Sequence, residues 1–500
     1  MPARTPVFRH LRRLLGIGLS REPVPSGRVS RRRFLQTSTG AAAALSTPSR
    51  ATEPFKGSVA IIGGGLAGLT AAWHLRQSEA TVELFEASPR LGGRVFTKRN
   101  FNSDGMFVEL GGELIDTNHT ALIQLARDLG LQLQHLVEGE AGKDRLWFED
   151  RARSEEEWLA GLQPVITRIA GDVAKLYHDD GSFTPYAAQL DRISLIGYLA
   201  GIPGVEPWIS DYLLAAYEPE YGLSASLISC LNLVDFTDTD LRDGYSVFGD
   251  SDEAWRIMGG NSRLPDTLTH QLKDRVTCHT GKRLIGIVLQ DHRVQLSFAG
   301  EESARGFDKV IVTLPFNQLR KVTGFFDLPV SQEKARAVRE LGYGQNIKVM
   351  RGFSSRVWRQ QGSNGSVFAE LPNFQNIWET SRGQEGTGGI LTNLLGGRRA
   401  TEFQVRADER DLTDIDTVFP GAKTAYDGNS AVMNWPKVPT HEGSYSCPLT
   451  GQYTWINAAS ARPECEGRLL FAGEHTSEAF CGFMNGAVES GRRAARETMG

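Results

Sequence analysis

Apolar and polar positions along this chain change period several times, and each change marks an element. Val59-Ala60-Ile61-Ile62 is a short unbroken apolar run, which predicts a strand buried on both faces. A glycine-rich turn follows, and residues 69–76 then read as an alanine-rich helix. Val82-Glu83-Leu84-Phe85-Glu86 gives a second strand, residues 285–289 and 294–298 read as a hairpin, and residues 309–313 as a further strand. Pro315 ends that last strand because it has no N–H to give to a ladder. Leu159, Leu162, Ile166, Ile169 and Val173 recur at three- and four-residue spacing, the period of an amphipathic helix, inside a largely helical stretch. Residues 321–462 mix strands with Trp- and Gly-rich loops. Strand, turn, helix and strand in succession at the start predict an α/β fold with a Rossmann-like unit.

The first turn carries chemistry. Gly63, Gly65 and Gly68 form Gly-x-Gly-x-x-Gly between strand and helix. The first allows the tight turn, the second lets backbone approach a pyrophosphate, and the third packs helix on strand. The anion would rest on the helix start at Leu66 and Ala67. Glu86 ends the second strand 18 residues after Gly68, the spacing at which a carboxylate reaches the ribose of an adenine dinucleotide. Ala87 follows, and Arg90-Leu91-Gly92-Gly93-Arg94 adds two flexible glycines and two guanidinium groups beside the phosphates. Farther on, Lys348 lies in the strand-like run 344–350, where a lysine ordinarily snorkels from an edge. Glu113, directly after Gly111-Gly112, is open between a carboxylate bonded to nearby backbone and a partner for a cationic ligand.

Composition narrows the partners. The 500 residues carry 40% hydrophobic and 23% charged side chains, room for a large core in two or three domains. No run of about 18 apolar residues predicts a membrane span. Ten arginines and one glutamate fall within residues 1–50; the remainder has 45 basic against 58 acidic residues, so the formal charge moves from −4 to −13. An acidic surface disfavours nucleic acid and anionic membrane and favours cationic ligands. Ser30-Arg31-Arg32-Arg33-Phe34-Leu35-Gln36, with the alanine run 41–44 after it, resembles a twin-arginine export signal over residues 1–50. That route carries folded proteins and predicts a periplasmic or secreted destination, with the export machinery as a partner. Five cysteines without paired spacing (Cys230, Cys278, Cys447, Cys465, Cys481) predict free thiols and no metal site.

Further motifs recur to the C-terminus: Glu109-Leu110-Gly111-Gly112, Met258-Gly259-Gly260, LFAGEHTS at 470–477 and GFMNGAVESG at 482–491. From about residue 56 onward the chain resembles the FAD-dependent amine oxidase family, which includes monoamine, polyamine and L-amino-acid oxidases. The resemblance implies a discontinuous FAD-binding domain (56–125, 245–320, 463–500) and an α+β substrate domain (126–244, 321–462). It adds Gly111, Gly112, Glu113, Val276, Gly473, Glu474, Phe483 and Met484 to the cofactor site and sets His475 along the flavin. It implies that Lys348 bonds through a water to N5 of the flavin, and that Tyr445 and Phe483 form an aromatic cage for the amine. Monoamine oxidases attach FAD to a cysteine just before the cage tyrosine; Ser444 stands there, so non-covalent FAD is expected, and Cys447 is misplaced for that role. The expected reaction turns a primary or secondary amine into an imine, hydrolysed to a carbonyl compound, with O2 or another acceptor reoxidising the flavin. The alternative is an L-amino-acid oxidase for a basic L-amino acid, although Glu113 stands where those enzymes carry a carboxylate-binding Arg nearby. A homodimer is compatible with the resemblance.

Overall fold

Strand β1 (Ser58–Ile62) lies in the middle of a five-stranded parallel sheet, and its side chains sort by alternation. The computed structural model describes residues 55–136, 142–236, 252–403 and 410–500; the twin-arginine pattern lies outside the described residues. Val59 and Ile61 face one core and Ala60 and Ile62 the other, so both faces are dry and the run is apolar throughout. Helix α1 (Leu66–Leu75) covers the first face, and β2 (Thr81–Phe85) pairs with β1 in parallel, Ile62 opposite Phe85. The chain then leaves for strands β3 (Lys143–Phe148) and β4 (Arg151–Arg153) and helices α2 (Glu155–Val173) and α3 (Pro207–Tyr221). Helix α2 buries Leu162, Ile166 and Ile169, the stripe expected from spacing, and starts at a capping box of Ser154 and Glu157.

The chain returns to the first sheet with β5 (Thr277–His279) and then forms a separate three-stranded antiparallel sheet of β6 (Leu284–Gln290), β7 (Arg293–Phe298) and β8 (Arg305–Phe307). Strand β9 (Lys309–Val312) then pairs with the other edge of β1. A second excursion builds β10 (Ile347–Phe353), β11 (Ser363–Leu371), β12 (Phe374–Glu379), β13 (Gly389–Leu395) and β14 (Tyr426–Asn434). With β3 and β4 these make a seven-stranded sheet in the order β14-β10-β13-β12-β11-β3-β4, parallel only between β11 and β3. The last stretch supplies β15 (Leu469–Phe471), which pairs with β9, and helix α4 (Met484–Met499). Helix α4 lies against α1 so closely that a Cβ on Gly491 would fall 2.4 Å from the Ala67 carbonyl oxygen. The α/β class thus agrees with the sequence. No helix among the described residues is long and apolar enough to cross a membrane.

Candidate active site

One cavity runs along the C-terminal ends of the parallel strands into the face of the seven-stranded sheet. Its outer part is built from two glycine turns set edge to edge. Gly63 has φ +111°, and a Cβ there would sit 2.3 Å from Thr313 Oγ1; one on Gly68 would sit 2.0 Å from the Gly63 carbonyl oxygen. The second turn, with Gly92 at φ +107° and Gly93 at +54°, donates from Gly92 N–H to the Gly64 carbonyl (2.8 Å). A Cβ on Gly93 would press on Gly65 Cα at 3.1 Å. Gly65 caps α1 without any side chain, so the helix start is backbone N–H facing the cavity, a fit for a pyrophosphate. Glu86 lines the cavity too and accepts from Gly64 N–H and Ser88 N–H, 2.7 Å each, which holds the turn in shape. Ala87, Leu66 and Ala67 complete this wall.

The two arginines of the second turn part company. Arg94 lines the cavity and donates to the Ser444 carbonyl (2.7 Å) and Glu474 Oε1 (2.8 Å). Arg90 does not line it: its guanidinium donates to the Leu91 and Gly93 carbonyls and lies 4.1 Å above the Phe96 ring, stiffening the turn from behind. Beside them His441, absent from the sequence-derived set, lines the cavity; burial first, then Arg94 and Arg90, pushes its pKa down to about 3 and keeps it neutral.

At the inner part the wall is Gly111, Gly112, Glu113, Lys348, Trp378, Trp435, Ser444, Tyr445, Gly473, Glu474, Phe483 and Met484. The glycine pair is steric: a Cβ on Gly111 would fall 1.8 Å from the Arg94 carbonyl oxygen, and one on Gly112 2.8 Å from Met484 Sδ. Lys348 lies on β10, an interior strand buried at all seven positions, so it is no edge lysine. Its ammonium donates to the carbonyls of Glu109 (2.7 Å) and Gly111 (3.2 Å) and to Glu113 Oε2 (2.8 Å). Three donors meet three acceptors, so a water bound to this lysine would have to displace one of them. Tyr445 gives its hydroxyl to the Pro219 carbonyl (3.1 Å), and the Phe483 ring stands 5.2 Å from His119, tilted 59°. Trp435 donates to the Leu110 carbonyl (3.1 Å), and Ser444 Oγ donates to Asn346 Oδ1.

Three sequence assignments move. Val276 does not reach the cavity; it is buried in the core between sheet and helices, just before β5. Arg90, as described, lies behind the turn, whereas Gly68 keeps its expected role of packing helix on strand. His475 is fully buried behind the wall, 4.5 Å from the Phe316 ring, with burial pushing its pKa down to about 3 against the pull of Glu474. Cys447 is buried outside the lining, its thiol toward the Pro448 carbonyl. Sequence reasoning missed Trp378, Trp435, His441, Asn346, Asp116 and Glu253, all of which line the cavity. Of these, Asn346, Asp116 and His441 stand two or three residues from Lys348, Glu113 and Gly443, whereas Trp378, Trp435 and Glu253 carry no local signal.

The geometry can be set beside known proteins. An L-amino-acid oxidase of Sistrurus catenatus edwardsii is 25% identical over 492 residues, covering 93% of this chain and 89% of that protein. In fold, cyclohexylamine oxidase from Brevibacterium oxydans IH-35A superposes with a TM-score of 0.74 at 19% identity, over 89% of this chain and 99% of that one. Putrescine oxidase bound to putrescine gives 0.73 at 21% identity, over 88% and 98%. Residues 66–499 match the family described as flavin containing amine oxidoreductase, which implies a flavin cofactor for the glycine cradle. The chain therefore belongs to the flavin-containing amine oxidoreductases.

Proposed function

We propose that this protein oxidises a primary or secondary amine at the C–H bond next to nitrogen. The imine formed is hydrolysed to a carbonyl compound plus ammonia or amine, and O2 is reduced to hydrogen peroxide. Bound FAD, held without a covalent link, supplies the two-electron acceptor. One observation carries the reading: Lys348, Tyr445 and Phe483 line the same cavity as the two glycine turns. Tyr445 and Phe483 would offer the amine an apolar slot that favours its neutral form and orients its α-carbon. With the amine neutral, no side chain has to act as a strong base, which suits a lining whose histidine is held uncharged. The Ser444 hydroxyl is committed to Asn346 and the Cys447 thiol lies outside the lining, which supports dissociable FAD.

The lining also speaks to the substrate. Asp116 and Glu253 contribute carboxylates beside the Phe483 end, and among the described lining residues the only guanidinium is Arg94, bonded to Glu474 and Ser444. That composition supports an amine without a carboxylate, one that can bear a second cation. A relative named as an L-amino-acid oxidase favours a second reading, oxidation of a basic L-amino acid. Anaerobic titration with a monoamine, a diamine, and basic and apolar L-amino acids separates the two readings. A diamine should bleach the flavin faster than an apolar amino acid, and acid precipitation should leave the FAD in the supernatant. A protein whose flavin no amine or amino acid reduces would sink the oxidase reading, and flavin remaining on the precipitated chain would sink the non-covalent one.

A further inference from the structure

Glu113 and Lys348 form a buried ion pair on the cavity wall. Lys348 is 5% exposed and Glu113 6%. Around the ammonium stand two neutral carbonyls, of Glu109 and Gly111, and one carboxylate oxygen, Glu113 Oε2 at 2.8 Å. The other Glu113 oxygen accepts from Trp378 Nε1 (3.1 Å) and Thr380 Oγ1 (3.2 Å), and Thr380 is bonded in turn to Thr392 on β13. The Trp378 ring lies 5.4 Å from Lys348 Nζ. Glu113 is thus held by β12, the turn beyond it and β10.

The remaining charges nearby do not replace it. Arg256, from the strand Trp255–Ile257, is buried with its guanidinium on the carbonyls of Thr380 and Arg382 and on Gln134, so it adds positive charge, as does Arg382. The Glu109 carboxyl turns away to Asn261 N–H (2.7 Å) and Thr97 Oγ1 (2.8 Å), and only the backbone carbonyl of that residue meets the ammonium. Asp116, Glu253 and His119 lie on the Phe483 side of the cavity, and Asp116 accepts from Glu253 N–H. An ammonium left in this setting without Glu113 would be a buried, unpaired charge, one of the most destabilising arrangements a fold can hold.

We propose that Glu113 is a positioning residue: its carboxylate supplies the counter-charge that pins the Lys348 ammonium to the cavity wall. This rests on the role at the flavin that the family resemblance implies for Lys348, and it places Glu113 with the lysine instead of with a substrate cation. The test compares wild type with Glu113→Gln, Lys348→Met and the double variant, each as purified with its FAD, by thermal midpoint between about pH 7.5 and 10. In Glu113→Gln the native ammonium sheds its proton before an unfolded-chain lysine does, so the unfolded state binds more protons and stability rises with pH. The expected result is a Tm for Glu113→Gln that starts below wild type and recovers by about 2–4 °C as pH rises, a recovery missing from the double variant. Amine turnover of Glu113→Gln should fall away at high pH where wild type still works, while Lys348→Met stays flat. A constant Tm offset at every pH, or a recovery that survives in the double variant, overturns the proposal. Should Glu113→Gln fail to fold while the double variant folds, the unpaired ammonium is the cause and the proposal stands; failure of both assigns Glu113 to the Trp378 and Thr380 scaffold and overturns it. A wild type that oxidises no amine would defeat the oxidase reading and leave the Tm comparison intact.

Discussion

Glu474 is buried in the cavity wall and yet stays ionised. It accepts from Arg94 (2.8 Å), from Ser446 through both N–H and hydroxyl, and from Gly482 N–H (2.7 Å), so one carboxylate ties four segments together. Burial alone would raise its pKa; Arg94, His475 and the Ser446 bond outweigh it and hold the carboxyl at about 2. A folded value below the ordinary 4.5 means that the stabilisation is present above about pH 4.5 and is lost as pH falls toward 2. Glu474→Gln should therefore cost ~1–3 kcal/mol at pH 7 and flatten the acid limb, checked by urea unfolding at pH 7 and near pH 3. An acid limb as steep as that of wild type would clear Glu474 of this role. At this scale the sequence was partly legible. Arg90 and Arg94 read alike on either side of Gly92-Gly93, and only the fold turns one to the cavity and the other to Leu91 and Gly93 carbonyls. Trp378 and Trp435 read no differently from Trp358, which is core, because a side chain's local pattern does not say what its strand faces.

The unit of strand β1, glycine turn and helix α1 is the element on which cofactor binding depends. Its backbone is so close that Gly68→Ala would place a methyl group 2.0 Å from the Gly63 carbonyl oxygen and push the helix off the strand. FAD affinity of the apoprotein should drop at least about tenfold, a loss of ~1.4 kcal/mol, measured by fluorescence titration. Gly171→Ala, in α2 with open space around it, is the control and should be neutral or stabilising by ~0.5–1 kcal/mol. Equal affinities for wild type and Gly68→Ala would contradict the steric argument. Elements with a strong local period were legible: β1, β2, the β6–β7 hairpin and the buried stripe of α2 follow the pattern of side chains. The seven-stranded sheet was not, because it joins residues 143–153 to residues 347–434, and no local period encodes a pairing across some 200 residues.

At the scale of the whole molecule, the basic residues 1–50 stand apart from the acidic composition of residues 51–500. Replacing Arg31 and Arg32 by Lys keeps the charge and removes the pattern that the twin-arginine route reads. The variant should accumulate in the cytoplasm with FAD bound, scored by cell fractionation and flavin absorbance; periplasmic yield equal to wild type would mean another route. The order of elements adds a constraint on how such a protein is made. Strand β15, Glu474, Phe483 and α4 come later in the chain than every other described element. Without them β9 presents an open edge, Arg94 lacks its Glu474 carboxylate and helix α1 lacks its packing against α4. A chain that stops near residue 460 would lack the Gly473, Glu474, Phe483 and Met484 part of the cavity wall. A chain stopped before these elements should therefore purify colourless, read as missing flavin absorbance, and should be cleaved by proteases faster than the full chain.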